Sequence, residues 1–335
     1  MVCAAAPCNG AGSFSLPDLL ATWPWPRELN TRYAEAKAAS DAWVATFGAF
    51  TPKAQEVSDA TSVFLHHLHT PKPLHLRAAC DMMQLCWVFD EYSDREGHDA
   101  IRLMAASIIK GICSPDLQQN SILGEMSRQF GERVMRILNA QNHAKFVAKF
   151  RDYTDAIVQR AQDREYAYVR NVAQYLTVRR ETIAMRPAMA FLLFDMSISD
   201  DVLEHPTLRQ LQDLASDMVI LGNDLYSYNK EQANGTDGHN ILTIVREQNC
   251  WSLERALQWL EELHDSLVCD FLAAESDIPI FGSAYDLPVA EFVDGIGQLV
   301  RANEAWSFES HRYFGNEGLE IQRHRQVILR PKLLS

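Results

Sequence analysis

Two groups of oxygen-bearing side chains, distant in the chain but each repeating at a helical interval, are the residues of this sequence best suited to chemistry. Asp90 and Asp94 close the run Met82-Met83-Gln84-Leu85-Cys86-Trp87-Val88-Phe89-Asp90-Glu91-Tyr92-Ser93-Asp94. A spacing of four sets both carboxylates on one helical face, about one turn apart. Like charges at that distance repel unless a cation bridges them, and magnesium suits the task because it prefers hard oxygen ligands and retains water in its shell. Glu91 is rotated by about 100° and points elsewhere. Met83 and Trp87 precede Asp90 on its own face, so one wall runs from an apolar depth to an acidic rim. Taken alone, the pair reads equally well as a solvated helix end, although negative charge there opposes the helix dipole.

The second group is Asn223, Ser227 and Glu231 within Leu221-Gly222-Asn223-Asp224-Leu225-Tyr226-Ser227-Tyr228-Asn229-Lys230-Glu231. Carbonyl, hydroxyl and carboxylate oxygens form a ladder about 12 Å long. The set is hard and mixed, fit for magnesium and unfit for a thiophilic metal. Asn and Ser are costly inside a helix unless their polar groups find partners, which a metal and a diphosphate would supply. Stepping back by fours from Asn223 reaches Val219 and Ala215, so this face turns apolar upstream as a cavity wall does. An ordinary polar outer stripe is the competing explanation, and Ser216 lends it some weight.

Basic residues must receive the negative charge that develops as a diphosphate departs. Arg179 and Arg180 stand before a helix break near Pro187, and Lys230 lies beside Glu231. Arg312-Tyr313 follows a long helical stretch and offers a guanidinium fork and a phenol. Each basic pair also reads as charge–dipole compensation or a surface ion pair. Trp306, seven residues before Tyr313, joins Met83, Trp87 and Phe89 as a candidate cavity wall.

These groups need long helices to hold them. Helical patterning begins at residue 33 with YAEAKAASDAWVATF and continues over 53–68, 74–92, 98–113, 118–138, 140–155, 157–180, 182–196, 205–232, 251–274 and 286–311. Prolines 71, 73 and 115, the pair Asn234-Gly235, Gly238 and the stretch from Pro279 to Pro288 mark the breaks. Period-two alternation is almost absent, and no glycine-rich loop follows an apolar strand, which leaves a dinucleotide fold unsupported. The expected architecture is all-α: a single-domain bundle enclosing an active-site cavity, with 1–32 a mostly extended segment, 33–315 the helical domain and 316–335 an extension. Trp23-Pro24-Trp25-Pro26-Arg27 reads as an extended strap across that domain.

The 335 residues, 47% hydrophobic, suffice for a large core, and a net charge of -13 excludes a basic footprint for nucleic acid. Seven cysteines without tight pairing read as thiols in a reducing compartment. No signal-like start or membrane-spanning run is visible, so the expected location is cytoplasmic. A homodimer stays open.

With these residues in view, the chain resembles the class I terpene synthases, specifically the sesquiterpene cyclases of mushroom-forming fungi, over nearly its whole length. DEYSD at 90–94 is similar to the first acidic motif, NDLYSYNKE at 223–231 to the second metal motif, RRETIA at 179–184 to the arginine sensor and helix break, and WSFESHRYF at 306–314 to the terminal Arg-Tyr segment. More narrowly, WPWPR at 23–27, NDLYSYNKEQANGTDGHN at 223–240 and VDGIGQLVRANEAWSFESHRYFG at 293–315 resemble the branch that makes delta-6-protoilludene.

The resemblance implies three Mg²⁺ ions: two on Asp90 with Asp94 in support, and a third on Asn223, Ser227 and Glu231. It also implies a diphosphate held by Arg179 or Arg180, Lys230, Arg312 and Tyr313. The implied substrate is (2E,6E)-farnesyl diphosphate, closed 1,11 through a humulyl-type cation. Ala184 departs from the pattern, since many relatives carry glycine near this break. A related cyclase with another product, a prenyl chain-elongating transferase and a noncatalytic helical scaffold are the alternatives. The transferase usually carries two aspartate-rich clusters, unlike the Asn-Ser-Glu set here.

Overall fold

The computed structural model describes residues 12–50, 73–166, 168 and 170–332. Its helices are α1 (Tyr33–Ala45), α2 (Pro73–Ser93), α3 (His98–Cys113), α4 (Ile122–Met135), α5 (Ala140–Glu165), α6 (Val172–Thr182), α7 (Met185–Leu192), α8 (Asp200–Leu203), α9 (Pro206–Asn234), α10 (Ile241–Asn249), α11 (Leu253–Ser276), α12 (Asp286–Glu309), α13 (His311–Phe314) and α14 (Gly318–His324). The all-α, single-domain reading holds. The helix expected over 53–68 lies outside the described residues.

Local chemistry explains where the helices start and stop. Pro206 occupies the first turn of α9, where its missing N–H costs nothing, and Gly235 at φ +71° ends the helix in the left-handed region. The expected break between 155 and 157 is absent, and α5 runs unbroken to Glu165. The helix ends there instead, and Asn171 and Gln174 start α6 as a reciprocal capping box. Several short elements went unread in the sequence, α8, α13 and α14 among them, as did two further ones. The first is α10, capped by the Asn240 side chain on Leu242 N. The second is an antiparallel pair of short strands, β1 (Ser13–Ser15) against β2 (Gln326–Ile328), joining the two ends of the described chain.

One continuous apolar core extends from Leu16 to Val327. α9 runs through its centre, packed on α11, α12 and α6, while α2 lies against α1 and α4. The central position of α9 buries even polar side chains such as Ser216, Asp224 and Ser227. No helix among the described residues is long and apolar enough to cross a membrane, and Cys80, Cys86, Cys113, Cys250 and Cys269 form no disulfide.

The strap is built into this core rather than laid over it. Trp23 and Trp25 are buried, stack on each other and abut Phe271. Trp23 Nε1 donates to Gly297 O at 3.0 Å, Trp25 Nε1 donates to Asp294 Oδ1 at 2.8 Å, and Arg27 pairs with Glu309. A methyl group on Gly297 would lie 2.2 Å from the Trp25 ring. Gly297→Ala should therefore destabilise the fold by about 2 kcal/mol through overpacking and loss of the indole bond. An unchanged thermal unfolding midpoint would contradict this packing.

His264 on α11 is 1% exposed, its Nδ1 has no partner, and burial pushes its pKa from 6.5 down to about 4. The unfolded chain thus binds the extra proton between these values. Stability is full above pH 6.5 and declines as the pH falls toward 4, by about 3 kcal/mol. Urea midpoints at pH 7 and 4.5 should differ less in His264→Leu than in the parent, and equal differences would refute the assignment.

Candidate active site

The C-terminal turn of α2 brings Asp90 against two arginines from other helices. Arg160 Nη2 of α5 lies 3.2 Å from Asp90 Oδ1, and Arg312 Nη2 of α13 lies 3.2 Å from Asp90 Oδ2. Burial alone would raise the Asp90 carboxyl, but the two guanidiniums outweigh it and hold the group below its usual range. The same Arg160 nitrogen reaches Asp94 Oδ1 at 3.2 Å. Asp94 is nevertheless raised, by burial and by the charge of Asp90 one turn away. Glu91 points aside and pairs with Arg95.

α9 presents the second group. Asn223 Oδ1 accepts from Arg179 Nη2 at 2.8 Å, and Asn223 Nδ2 donates to the Tyr313 hydroxyl at 2.9 Å. Asn240 Nδ2 donates to Glu231 Oε2 at 3.0 Å and lies 3.4 Å from Ser227 Oγ. Burial, helped by the charge of Asp224, pushes Glu231 up to about 7. Asp224 itself is locked behind the ladder by the Tyr175 hydroxyl at 2.5 Å and Ile241 N at 2.9 Å. Lys230 is depressed to about 8, first by the charge of Arg312 and then by burial, which sets its ammonium in the same field as Asp90.

A chain of contacts joins the groups: Asp90 to Arg312, Arg312 against the Tyr313 ring, the Tyr313 hydroxyl to Asn223, and Asn223 to Arg179. The adjacent arginines diverge. Arg179 faces this space, whereas Arg180 makes a two-pronged pair with Asp217 at 2.7 and 2.6 Å and belongs to the far side of α6. The break after them is sharp. Ala184 sits at φ +62°, the left-handed conformation its methyl group disfavours by about 1 kcal/mol.

The aromatic candidates separate as well. Trp87 and Trp306 stack with centroids 5.0 Å apart, and the Arg312 guanidinium covers Trp87 at 3.9 Å. Phe89 instead turns into the interior against Tyr153 of α5, so it packs behind α2 and is not beside the tryptophans. Met83 is buried two turns before Asp90. An apolar groove of about 490 Å³ bordered by Ile278, Phe281 and Val289 shares no residue with this cluster.

Among the described residues, no three His, Cys, Asp or Glu side chains converge on one metal position. The oxygen donors instead form two half-sets, and both depend on Asn and Ser oxygens or water to complete a shell. That composition fits a hard divalent ion that retains water. The Nε atoms of Arg179 and Arg312 are buried without partners, as donors awaiting an anion would be. Sequence reasoning missed Arg160, Tyr175, Asp224 and Asn240. Arg160 and Arg164, four apart in one helix, were the available signal, since Arg164 holds the Ser93 and Glu96 carbonyls beside Arg160.

The family model for terpene synthase family 2, C-terminal metal binding, matches residues 81–270. The chain is 41% identical over 326 residues to a delta-6-protoilludene synthase of Armillaria gallica, covering 96% of this chain and 94% of that one. It is 40% identical to one from Stereum hirsutum, with 96% and 93% covered, and 38% identical to sesquiterpene synthase 14 of Postia placenta, with 95% and 92% covered. Among solved structures, germacradien-4-ol synthase of Streptomyces citricolor superposes with a TM-score of 0.75 at 19% identity, covering 89% of this chain and 98% of that one. The linalool/nerolidol synthase of Streptomyces clavuligerus does so at 0.75 and 18%, covering 85% and 99%. At such identities the structures speak for the fold alone.

Proposed function

This chain belongs to the fungal class I sesquiterpene synthases, enzymes that act as lyases on a diphosphate substrate, and we propose that it converts (2E,6E)-farnesyl diphosphate to delta-6-protoilludene and diphosphate. The observation that supports the reading is the contact chain from Asp90 through Arg312, Tyr313 and Asn223 to Arg179, which links one member of each oxygen group through basic and phenolic side chains.

Asp90, supported by Asp94, would hold two magnesium ions, and Asn223, Ser227 and Glu231 a third. When bound, Mg²⁺ supplies Lewis acidity to the phosphate oxygens. Arg179, Lys230, Arg312 and Tyr313 bind the diphosphate as the C1–O bond breaks and the electron pair leaves with it. Trp306, buried and stacked on the half-buried Trp87, would contribute aromatic surface to the wall that stabilises the allylic cation away from water. The distal C10–C11 alkene closes on C1, forming the C1–C11 bond of a humulyl-type cation. Hydride transfer, further ring closures and proton loss then give the fused four-, six- and five-membered skeleton.

Incubation with farnesyl diphosphate and Mg²⁺ followed by gas chromatography–mass spectrometry should yield delta-6-protoilludene as the main product. Geranylgeranyl diphosphate should yield none. Predominance of another sesquiterpene would reject the product while keeping the cyclase.

A further inference from the structure

One nitrogen of Arg160 contacts three oxygens at the end of α2: Asp90 Oδ1 at 3.2 Å, Ser93 Oγ at 3.1 Å and Asp94 Oδ1 at 3.2 Å. The contact is built, not incidental. The Arg160 side chain is only 14% exposed, and Arg164, one turn along α5, pins the same end of α2 through the carbonyls of Ser93 and Glu96 at 3.0 and 2.5 Å. A guanidinium so placed does electrostatically what a bridging divalent ion does. It offsets the charge of two carboxylates one turn apart and draws on the oxygens that such an ion would need.

We infer that Arg160 is a resident counter-ion of the Asp90–Asp94 pair, which competes with the divalent metal for these oxygens and so makes metal uptake depend on diphosphate. The inference rests on the metal-binding reading of that pair. Three consequences follow from competition. The acidic turn of α2 keeps its shape without metal, because the repulsion between Asp90 and Asp94 is already partly offset. A metal arriving alone must displace a cation that is held on its own helix and lost to no solvent. A metal arriving with diphosphate brings extra anionic oxygens, which can complete the metal's shell and take over the neutralisation of Arg160 and Arg312. Ionisation is thereby coupled to the presence of the group that leaves.

Arg160 acts through Asp90 and Asp94 and is a positioning residue, so its test reads binding rather than turnover. Mn²⁺ titrations of the full chain, followed by the electron paramagnetic resonance of free Mn²⁺, would be run with and without inorganic diphosphate. Without diphosphate, Arg160→Gln should bind Mn²⁺ about tenfold more tightly than the parent, because an adjacent positive charge has gone. The enhancement of binding by diphosphate should shrink correspondingly. Arg160→Lys keeps a cation on a shorter stem, and it should bind about twofold more tightly than the parent. This variant also serves if the glutamine protein proves too unstable to purify. Binding in either variant that equals or falls below that of the parent, the result expected of a purely structural arginine, overturns the inference. A parent that takes up no Mn²⁺ even with diphosphate removes the metal reading itself, and this inference with it.

Discussion

Asp90→Ala should lower kcat/KM for farnesyl diphosphate by about 10³-fold or more, while the protein remains helical by circular dichroism. Asp90 is the one α2 carboxylate that touches arginines from two other helices, α5 and α13, and burial has not neutralised it. Its removal deletes the charged oxygen donor that remains ionised and also frees Arg312 from its anchor. Asp94→Ala should cost far less, about tenfold, since Asp94 is half exposed and its carboxyl is already raised toward the neutral form. Steady-state kinetics across a Mg²⁺ series would separate the two. Turnover of Asp90→Ala within tenfold of the parent would remove Asp90 from the machinery.

The adjacent arginines provide the second large contrast. Arg179→Gln should reduce kcat by about 10²- to 10³-fold, the usual loss when one donor to a developing anion is deleted. Arg179 reaches Asn223 and Asp224, and its Nε is left over for a ligand. Arg180→Gln should leave kcat within a few-fold of the parent. It should instead lower stability by about 1–3 kcal/mol, because Asp217, 6% exposed, loses its partner. Both variants carry the same chemical change one residue apart, so the comparison isolates direction from charge. Equal losses of kcat in the two, or a larger loss in Arg180→Gln, would show that the register of α6 is not as described.

How much of this was legible in the sequence follows from what each signal depends on. The four-residue spacing of Asp90 and Asp94, and of Asn223, Ser227 and Glu231, specifies a shared face on any helix, so the helical grouping of these side chains was readable. The choice between Arg179 and Arg180 was not, because neighbours on a helix differ by about 100° and only the packing of α6 on α9 decides which turns inward. Phe89 was misread for the same reason: adjacency to Asp90 says little about facing. Arg160 reaches the site from α5, and no local periodicity reports a partner 70 residues away; Asn240 reaches Glu231 across a turn, where helical periodicity does not apply. The strands β1 and β2 are three residues each, too short for alternation to register.

The most direct test is anomalous diffraction from crystals grown with Mn²⁺ and inorganic diphosphate. Manganese peaks should appear on both half-sets, at Asp90 on one side and at Asn223, Ser227 and Glu231 on the other, bridged by one diphosphate that Arg179, Lys230, Arg312 and Tyr313 contact. Peaks confined to the protein surface, or a diphosphate bound on the Arg180 side of α6, would contradict the account.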